Sequence, residues 1–351
     1  MDKNKIYIIA EIGVTCNYDL KITKQLIKEA KESGADAVKF VFHFPDELMS
    51  DKDVLYTYKT TKGDVTENMF DMFESLRFSL DEWFVIKEEC EKLNIDFFAS
   101  VDCNSGIEWG EKLGFKYYKL GTWDVNDIVL LKKLATLNKP VIVDVGASPE
   151  SEIERMIDIL GSNNTIILHD YHTDKFEEMN MCTIKYLKQK YNIITGYSSP
   201  NSYDVNDYIS VAMGASVIEK RLTLSKDLEG HHHIISKTPE EFKEWVKNIR
   251  QAELAIGKYG VHPSSNDLKE RKEYFKCICF DKDLSKGTVI TEDMLACKRP
   301  EKKGMIPLEN FYGIVGNTLT TDVKRNEAVK ITDLTDYCLN RELLGDYEKY
   351  R

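Results

Sequence analysis

Short aliphatic runs and longer amphipathic stretches follow one another along most of the chain. Eight runs have the length of strands: IYIIAEIG, ADAVKFVF, DFFASV, YYKLGT, VIVDVG, TIILHD, NIITGY and SVIEKRL. The stretches between them, such as ITKQLIKEAKESG and SPESEIERMIDILG, repeat apolar residues at i, i+3 and i+4 and keep polar residues on the opposite face. The pattern predicts eight β-strands that alternate with α-helices.

The regular alternation of strands and helices predicts the fold class. Strands separated by helices pair in parallel, and eight such units in about 260 residues fit a closed (β/α)8 TIM barrel in number and length. An open doubly wound sheet is the alternative, because sequence periodicity does not show whether a sheet closes.

Four aromatic residues are interpreted as a helix face or a dimer contact: Tyr56, Tyr58, Trp83 and Phe84.

After the stretch TPEEFKEWVKNIRQAELAIG the pattern changes. A polar segment with a proline, KYGVHPSSNDLKERKEY, is typical of a linker. Beyond it, DLSKGTVITEDML at Asp283 is echoed by DVKRNEAVKITDL at Asp322, which predicts a small domain of paired β-clips with pseudo-twofold symmetry. The predicted parts are a catalytic barrel domain at 1–258, a linker at 259–275, the small domain at 276–337 and a C-terminal tail at 338–351.

Composition and charge narrow the class of protein. A net charge of −11 argues against general nucleic-acid binding, which requires clustered Lys and Arg to neutralise phosphates. No apolar run approaches the roughly 18 residues of a membrane-spanning helix, and MDKNK leads into the first strand without the apolar stretch of a signal peptide. Eight scattered cysteines without a C-x-x-C pair indicate reduced thiols. We therefore predict a cytoplasmic protein that binds neither nucleic acid nor membrane.

Charged and imidazole side chains concentrate after the predicted strands. Glu11 ends the first aliphatic run, where a parallel barrel carries its reactive groups. Six of the seven histidines also follow strands: His43, His169, His172, His231, His232 and His233. With neighbouring carboxylates they could form a zinc, manganese or iron site, for which His172 and His233 are weak candidate ligands. In the alternative interpretation the triple histidine is a solvated loop and His169 packs in the core.

Six motifs occur in an order that is similar to one known family: IIAEIGV, GADAVKF, YYKLGT, GYS, GASVIEK and SKGTVITEDMLACKRP. Over about residues 5 to 337 the chain resembles the sialic acid synthase (NeuB-type) family, in which a TIM barrel precedes an antifreeze-like (SAF) domain. The resemblance implies condensation of phosphoenolpyruvate with a 2-acetamido sugar such as N-acetylmannosamine, which gives a nonulosonic acid. It also implies a divalent metal, Mn or Mg, that activates the open-chain aldehyde. The expected assembly is a domain-swapped homodimer, in which the small domain of one protomer covers the barrel of the other.

Several functional positions of the family match this chain. By resemblance, Glu11 is the active-site glutamate of the EIG motif, and Lys39 and Lys119 lie near the phosphate or carboxylate of phosphoenolpyruvate. Two lysines and a carboxylate at strand ends suit a trianionic substrate and a reaction that moves protons. The resemblance also implies that Arg299 reaches the sugar from the partner subunit. Further expected substrate-binding residues are Ser100, Thr122 and Ser198.

Other positions depart from the family, and they are central to its chemistry. The two histidines that bind the family's metal are replaced by Pro200 in GYSSPN and by Arg221 in VIEKRLT, and neither residue can ligate a metal. A third histidine of the family is Cys16 here. A family serine becomes Asp144, which we assign to substrate binding. In the loop after the sixth strand, residues that grip phosphate and sugar are replaced by Asp170, His172 and Asp174.

These replacements change the charge of the predicted barrel mouth. Its carboxylates are Glu11, Asp102, Asp124, Asp144 and Asp170, and its cations are Lys39, Lys119, Lys220, Arg221 and Arg299. Two unit charges ~4 Å apart interact by about 4 kcal/mol at an effective dielectric constant near 20, so one misplaced aspartate would oppose phosphate binding. A permanent cation at Arg221 acts in the opposite sense. It could polarise the aldehyde oxygen and allow condensation without a metal.

The leading hypothesis is a NeuB-like, C–C bond-forming transferase that condenses phosphoenolpyruvate with an acylamino aldose, with an unknown cofactor requirement. Its predicted catalytic residues are Glu11, Lys39, Lys119 and Arg221. One alternative keeps the barrel but assigns it lyase, epimerase or hydrolase activity on an acidic sugar, with a metal held by His172, His233 and Asp144. The other is a degenerate paralogue that binds a sugar or supports an active partner without turnover.

Overall fold

The computed structural model describes residues 5–301 and 304–343. The chain divides into two compact units, residues 1–257 and 258–351. In chain order the strands are β1 Tyr7–Glu11, β2 Ala37–Val41, β3 Leu55–Thr60, β4 Gly63–Asn68, β5 Asp96–Ser100, β6 Tyr118–Leu120, β7 Val141–Asp144, β8 Thr165–His169, β9 Ile194–Ser198, β10 Val217–Arg221, β11 Cys277–Phe280 and β12 Leu295–Lys298.

Eight parallel strands of the first unit close into a barrel in the order β1, β10, β9, β8, β7, β6, β5, β2. Several of these strands are buried along their whole length, as β1 and β8 are, because helices cover the outside and side chains fill the inside. The predicted TIM barrel is therefore confirmed, and the open doubly wound sheet is excluded by the pairing of β1 with both β2 and β10.

The helices of the first unit are amphipathic, as the sequence pattern predicts. Helix α1 buries Leu26, Ile27 and Ala30, begins after the side-chain cap of Asp19, and ends at Gly34 in the left-handed region with φ 94°. The α-helices of the chain are α1 Leu20–Ser33, α2 Pro45–Leu48, α3 Met69–Ser75, α4 Leu80–Leu93, α5 Asn104–Leu113, α6 Ile128–Ala135, α7 Glu150–Leu160, α8 Cys182–Tyr191, α9 Val205–Ala212, α10 Pro239–Ile256, α11 Ser265–Tyr274 and α12 Phe311–Ile314.

An antiparallel hairpin, β3 and β4, is inserted after the second barrel strand. The interpretation of Tyr56 and Tyr58 as part of a helix face is wrong, because both lie on β3 and pack against the ring of His231. Trp83 does lie on a helix face, on α4, where it is 1% exposed. The residues of the hairpin are exposed or half-buried, and the hairpin does not pair with the barrel sheet. Its sequence therefore lacks the apolar run that indicates a buried strand.

The second unit contains the internal repeat that the sequence predicts. Its two-stranded sheet pairs β11 with β12 in antiparallel fashion. The carboxylate of Asp322 accepts a hydrogen bond from the main-chain N–H of Lys286 at 2.7 Å, and Asp283 accepts one from the N–H of Arg325 at 2.9 Å. Asp283 and Asp322 are equivalent positions of the two copies, and so are Lys286 and Arg325. Each copy therefore accepts the same main-chain hydrogen bond from the other, as a pseudo-twofold axis requires.

Two segments outside these sheets were assigned from sequence. Helix α11 occupies most of the predicted linker at 259–275. The last part of the predicted tail, residues 344–351, lies outside the described residues. Among the residues that are described, no helix is both long and apolar enough to span a bilayer.

Candidate active site

A buried acid–base–acid group lies inside the barrel at the carboxyl ends of three neighbouring strands. Glu11 on β1 is in register with Lys39 on β2 and with Arg221 on β10. The ammonium group of Lys39 pairs with Oε2 of Glu11 and lies 3.0 Å from Oε1 of Glu219. The other carboxylate oxygen of Glu11 accepts the main-chain N–H of Gly13 at 2.7 Å. Glu11 is thus fixed through both oxygens.

A second ion pair, between Lys119 on β6 and Asp144 on β7, shares this interior. Lys119 is 0% exposed, pairs with Oδ2 of Asp144, and also donates to the carbonyl of Leu120 at 3.1 Å. Burial lowers the pKa of Lys39, and the charge of Lys119 lowers it further although Glu219 opposes the shift. The two amines therefore belong to one electrostatic site.

Asp144 is a carboxyl group of this interior whose charge changes near neutral pH. Burial raises the pKa of Asp144 to about 7, against the opposing effect of Lys119. Burial tends to lower the pKa of Lys119, but Asp144 and Glu219 outweigh it and the net shift is upward. Lys119 therefore keeps its charge near neutral pH, while the charge of its partner changes with pH.

A third group is built on the loops after β6 and β8. The hydroxyl of Thr122 donates to Oδ2 of Asp170 at 3.0 Å, and Nε2 of His172 lies 3.2 Å from the same oxygen. The His172 ring stacks on Trp123 with 5.4 Å between ring centroids. Its hydrogen bond to Asp170 raises the pKa of His172. This group places an imidazole whose pKa is raised and an exposed indole side by side after β6 and β8.

Arg221 supplies unsatisfied donors beside Glu11. Its Nη1 donates to the main-chain carbonyl of Ser199 at 3.2 Å, and its buried Nε has no partner within the described residues. A guanidinium group in this state can donate to a carboxylate or to a carbonyl oxygen of a ligand. Pro200 stands at the family's other metal-ligand position and offers no side-chain donor atom. The residues at these two positions therefore do not fit a metal.

The alternative metal site is not assembled either. His233 contacts Thr223 Oγ1 through Nδ1 at 2.7 Å and Asn17 Oδ1 through Nε2 at 3.0 Å, so it ties two loops together. Across residues 5–301 and 304–343, no three His, Cys, Asp or Glu side chains form a group that could hold a metal ion. The proposed ligand set of His172, His233 and Asp144 is therefore wrong.

Cys16, which stands where the family has a histidine, is also occupied. Its thiol donates weakly to the carbonyl of Gly13 at 3.5 Å, and the side chain is 0% exposed. Burial raises the pKa of the thiol to about 11. A protonated, enclosed thiol packs as a small apolar group and is a poor nucleophile or metal ligand at neutral pH.

Sequence reasoning missed Glu219 and misplaced Lys220. The prediction that Lys220 faces the mouth is wrong, because its ammonium group points away from the barrel interior and pairs with Asp207 at 2.8 Å. Glu219 points inward to Lys39. The signal was present in SVIEKRL, since a strand period of two places Glu219 and Arg221 on one face and Lys220 on the other.

The remaining predicted residues have different surroundings. Ser198, at the end of β9, is buried and lies in register with Glu219. Ser100, at the end of β5, lies in register with Lys119. Arg299 belongs to the second unit, where its guanidinium carbon is 6.0 Å from the ring centroid of Tyr274. Ser100 and Ser198 thus lie on β5 and β9, the strands next to those that carry Lys119 and Glu219.

Two further carboxyl groups follow β5 and β6. Burial, reinforced by the charge of Asp124, raises the pKa of Asp102 to about 7, and Oδ1 of Asp102 is buried without a partner in the described part of the chain. Burial and Asp127 raise the pKa of Asp124 to about 6. Near neutral pH these groups can therefore exchange protons.

The raised pKa of Asp102 predicts a pH-dependent stability. A carboxyl group whose folded pKa is raised from 3.8 to about 7 stabilises the fold below pH 4, and this contribution is lost as the pH rises through 7. We expect Asp102→Asn to raise the free energy of unfolding by about 1–3 kcal/mol at pH 8 and to leave it nearly unchanged at pH 4. Urea denaturation at both pH values measures this difference.

The matched control is Asp158→Asn, which removes an exposed carboxylate from α7. It should change the free energy of unfolding by less than about 0.5 kcal/mol at either pH. An equal gain in the two variants at pH 8 would show that net charge, and not burial of Asp102, governs the effect.

Models of known protein families match both the barrel and the small unit. The NeuB family model matches residues 26–260, and the SAF domain model matches residues 276–335. The chain belongs to the NeuB family, as the order of its motifs predicted. Its second unit is of the SAF type, which confirms the predicted combination of barrel and antifreeze-like domain.

Individual relatives align over nearly the whole chain. An uncharacterised protein of Methanocaldococcus jannaschii is 34% identical and covers 93% of this chain and 94% of its own length. The N,N'-diacetyllegionaminic acid synthase of Legionella pneumophila is 30% identical, with coverage of 90% and 91%. The structure of an N-acetylneuraminic acid synthetase from Leptospira borgpetersenii in complex with citrate has a TM-score of 0.68 and 26% identity, and it covers 76% of this chain and 90% of its own. The predicted enzyme class, that of sialic acid synthase-type enzymes, is confirmed at the level of the family.

Proposed function

We propose that this chain condenses phosphoenolpyruvate with an acylamino aldose to form a nonulosonic-type sugar acid, and that it does so without a metal at the family's ligand positions. The observation that carries the proposal is the convergence of Lys39 and Lys119 with Glu11 in one buried interior of a NeuB-family barrel. In the overall reaction the methylene carbon of the enol donor bonds to the aldehyde carbon, water is consumed and inorganic phosphate is released.

The two lysines hold the anionic donor in this proposal. Lys119 stays charged near neutral pH, and both lysines are buried in the middle of their barrel strands. The hydroxyl groups of Ser100 and Ser198 would donate hydrogen bonds to the phosphate or carboxylate, and Thr122, whose hydroxyl donates to Asp170, would contribute by holding that carboxylate in place.

Glu11 and Arg221 act on the aldose in this proposal. The guanidinium of Arg221 would donate to the aldehyde oxygen and stabilise the negative charge that develops there as the C–C bond forms. Glu11 orients or protonates the sugar, because its carboxylate lies in register with Arg221 and is held rigidly by Gly13 and Lys39. Asp144 would accept hydrogen bonds from sugar hydroxyls or tune the charge of Lys119.

The second unit and the assembly belong to the same proposal. We infer a catalytic barrel at 1–258, a connection at 259–275, an SAF domain at 276–337 and a tail at 338–351. In a domain-swapped homodimer, Arg299 of the partner subunit would reach the sugar. The proposed location is the cytoplasm, where phosphoenolpyruvate is available.

A coupled assay tests the function directly. Purified protein is incubated with phosphoenolpyruvate and N-acetylmannosamine or a related acylamino aldose, and phosphate release and the keto-acid product are measured with and without a chelator. Product formation that survives the chelator supports the proposal. No binding of phosphoenolpyruvate at millimolar concentration in calorimetry would count against it, and sugar binding without turnover would favour a degenerate paralogue.

The raised pKa of Asp144 predicts how donor binding changes with pH. Below pH 7 Asp144 is protonated and leaves the charge of Lys119 free for the donor, whereas above pH 7 the carboxylate competes with the donor. We expect the KM for phosphoenolpyruvate to rise about tenfold from pH 6 to pH 8. Asp144→Asn should remove most of this rise. A rise of equal size in Asp144→Asn would contradict the assignment and point to titration of the donor.

A further inference from the structure

Outside the site, four ions gather around Lys220, the residue before Arg221 in the chain; three of them are buried and Asp204 is partly exposed. We name this group the Lys220 cluster, and its members are Lys220, Lys237, Asp204 and Asp207. The ammonium of Lys220 lies 2.8 Å from Oδ2 of Asp207, and that oxygen also accepts Nε1–H of Trp245 at 2.9 Å. Lys237 lies 2.7 Å from Oδ1 of Asp204, which is 3.9 Å from Lys220.

Packing alone does not explain this cluster. The side chains of Lys220 and Asp207 are 1% and 0% exposed, so both ions have lost their hydration. Apolar residues of similar volume fill such a space at least as favourably as an ion pair. The pair of Lys220 and Asp207 therefore calls for a role beyond filling space, such as fixing the geometry of the groups that it contacts.

The hydrogen bonds of the cluster lead to Arg221 by two routes. Lys220 donates to the hydroxyl of Ser199 at 2.8 Å, and the main-chain carbonyl of Ser199 accepts Nη1–H of Arg221 at 3.2 Å. On the other side, the main-chain N–H of Lys237 donates to the carbonyl of Arg221 at 3.0 Å. Lys220 also donates to the carbonyl of Tyr203 at 2.9 Å, which fixes the same loop as Ser199.

We propose that Asp207 and Lys220 are positioning residues that hold the loop of Ser199 and thereby orient the guanidinium of Arg221 towards the substrate. The inference rests on the proposed function in one respect, that Arg221 touches the aldose. An arginine side chain has several rotatable bonds, and its planar donors are effective only at a defined orientation. The cluster restricts that orientation from outside the site, where it does not compete with substrate for space.

The first test measures the orientation of Arg221 without turnover. In protein labelled with 15N-arginine, the Nε–H resonance of Arg221 is assigned by its loss in Arg221→Lys. We expect its exchange with solvent to quicken at least about tenfold in Asp207→Asn and in Ser199→Ala, because the buried Nε–H becomes accessible. Ser199→Ala removes the link but keeps the ion pair, so it remains informative where Asp207→Asn does not fold.

The matched control is Asp36→Asn, which breaks a partly buried ion pair with Arg250 at 3.0 Å elsewhere in the first unit. This variant should leave the Arg221 resonance unchanged. Unchanged exchange in both Asp207→Asn and Ser199→Ala would overturn the proposal. Because this measurement needs no substrate, its outcome is independent of whether the protein condenses phosphoenolpyruvate.

The second test is kinetic and uses phosphoenolpyruvate with N-acetylmannosamine. We expect Asp207→Asn to lower kcat about 10–100-fold with less than about a threefold change in the KM for phosphoenolpyruvate. In an Arg221→Lys background the same substitution should cost less than about threefold, since the group it positions is already lost. An equal loss in both backgrounds would identify Asp207 as a general stability residue and reject the positioning role. Absence of turnover in the wild type, together with altered Nε–H exchange, would reject the proposed function but retain the positioning.

Discussion

Substitution of Lys119 by methionine should reduce turnover about 1,000-fold and lower the free energy of unfolding by about 3–5 kcal/mol. The ammonium group is fully buried against Asp144, so its removal leaves a carboxyl group without its counter-ion in the barrel interior. The loss of activity follows from the proposed function, in which Lys119 is one of two cations that hold the anionic donor. Turnover with phosphoenolpyruvate and urea denaturation at pH 8, where Asp144 is ionised in the wild type, measure the two effects.

The double variant Lys119→Met/Asp144→Leu separates the two effects. Replacement of both ions by apolar groups removes the unpaired charge, so the free energy of unfolding should return to within about 1–2 kcal/mol of the wild type. Turnover should stay as low as in the single variant. Recovery of activity together with stability would mean that Lys119 supports the fold and takes no part in donor binding.

The barrel could be predicted from the sequence because its strands are nearly continuous apolar runs. Runs such as TIILHD are buried on both faces, and this pattern is independent of tertiary detail. The hairpin of β3 and β4 was missed for the opposite reason. Its exposed and half-buried residues alternate along β3, and its residues contact a loop that is distant in sequence. Its stability therefore depends on contacts that local periodicity does not encode.

The positions of the candidate site were easier to predict than its pairings. The rule that reactive groups lie at the carboxyl ends of barrel strands indicated Glu11, and the resemblance to the family indicated Lys39 and Lys119. Neither showed that Lys39 bridges two glutamates or that Lys119 pairs with Asp144, because such contacts depend on the register of neighbouring strands. The alternation of side chains along β10 would have identified Glu219, and not Lys220, as the inward-facing residue.

The histidines illustrate a different difficulty. Their place after the strands suggested a rebuilt metal site, yet His233 bonds to Thr223 and Asn17, and Nε2–H of His169 donates to the carbonyl of Met179 at 2.7 Å. Residue type and position along the chain are compatible with both ligation and packing. The choice between them is made by neighbours such as Asn17, which is more than 200 residues from His233 in the chain.

Replacement of Arg221 should lower turnover strongly while the protein stays folded. We expect about a 100–1,000-fold loss for Arg221→Ala, because in the proposed function the guanidinium is the principal donor to the charge that develops on the aldehyde oxygen. Arg221→Lys should lose at least about tenfold, since it keeps the charge but not the planar pair of donors. The side chain is half-buried and bonds to the carbonyl of Ser199, so the free energy of unfolding should fall by less than about 2 kcal/mol.

Treatment with a chelator distinguishes this role of Arg221 from metal activation. With Pro200 and Arg221 at the family's ligand positions, wild-type activity should stay within about twofold after the chelator, because no donor set at these positions can bind a cation. The Arg221 variants should then remain inactive whether or not manganese or magnesium is added. Loss of wild-type activity with the chelator, recovery with manganese and full activity of Arg221→Ala would together assign activation of the aldehyde to a bound cation. The two sets of results cannot coincide, because a guanidinium and a metal at the same oxygen are alternative solutions to one electrostatic requirement.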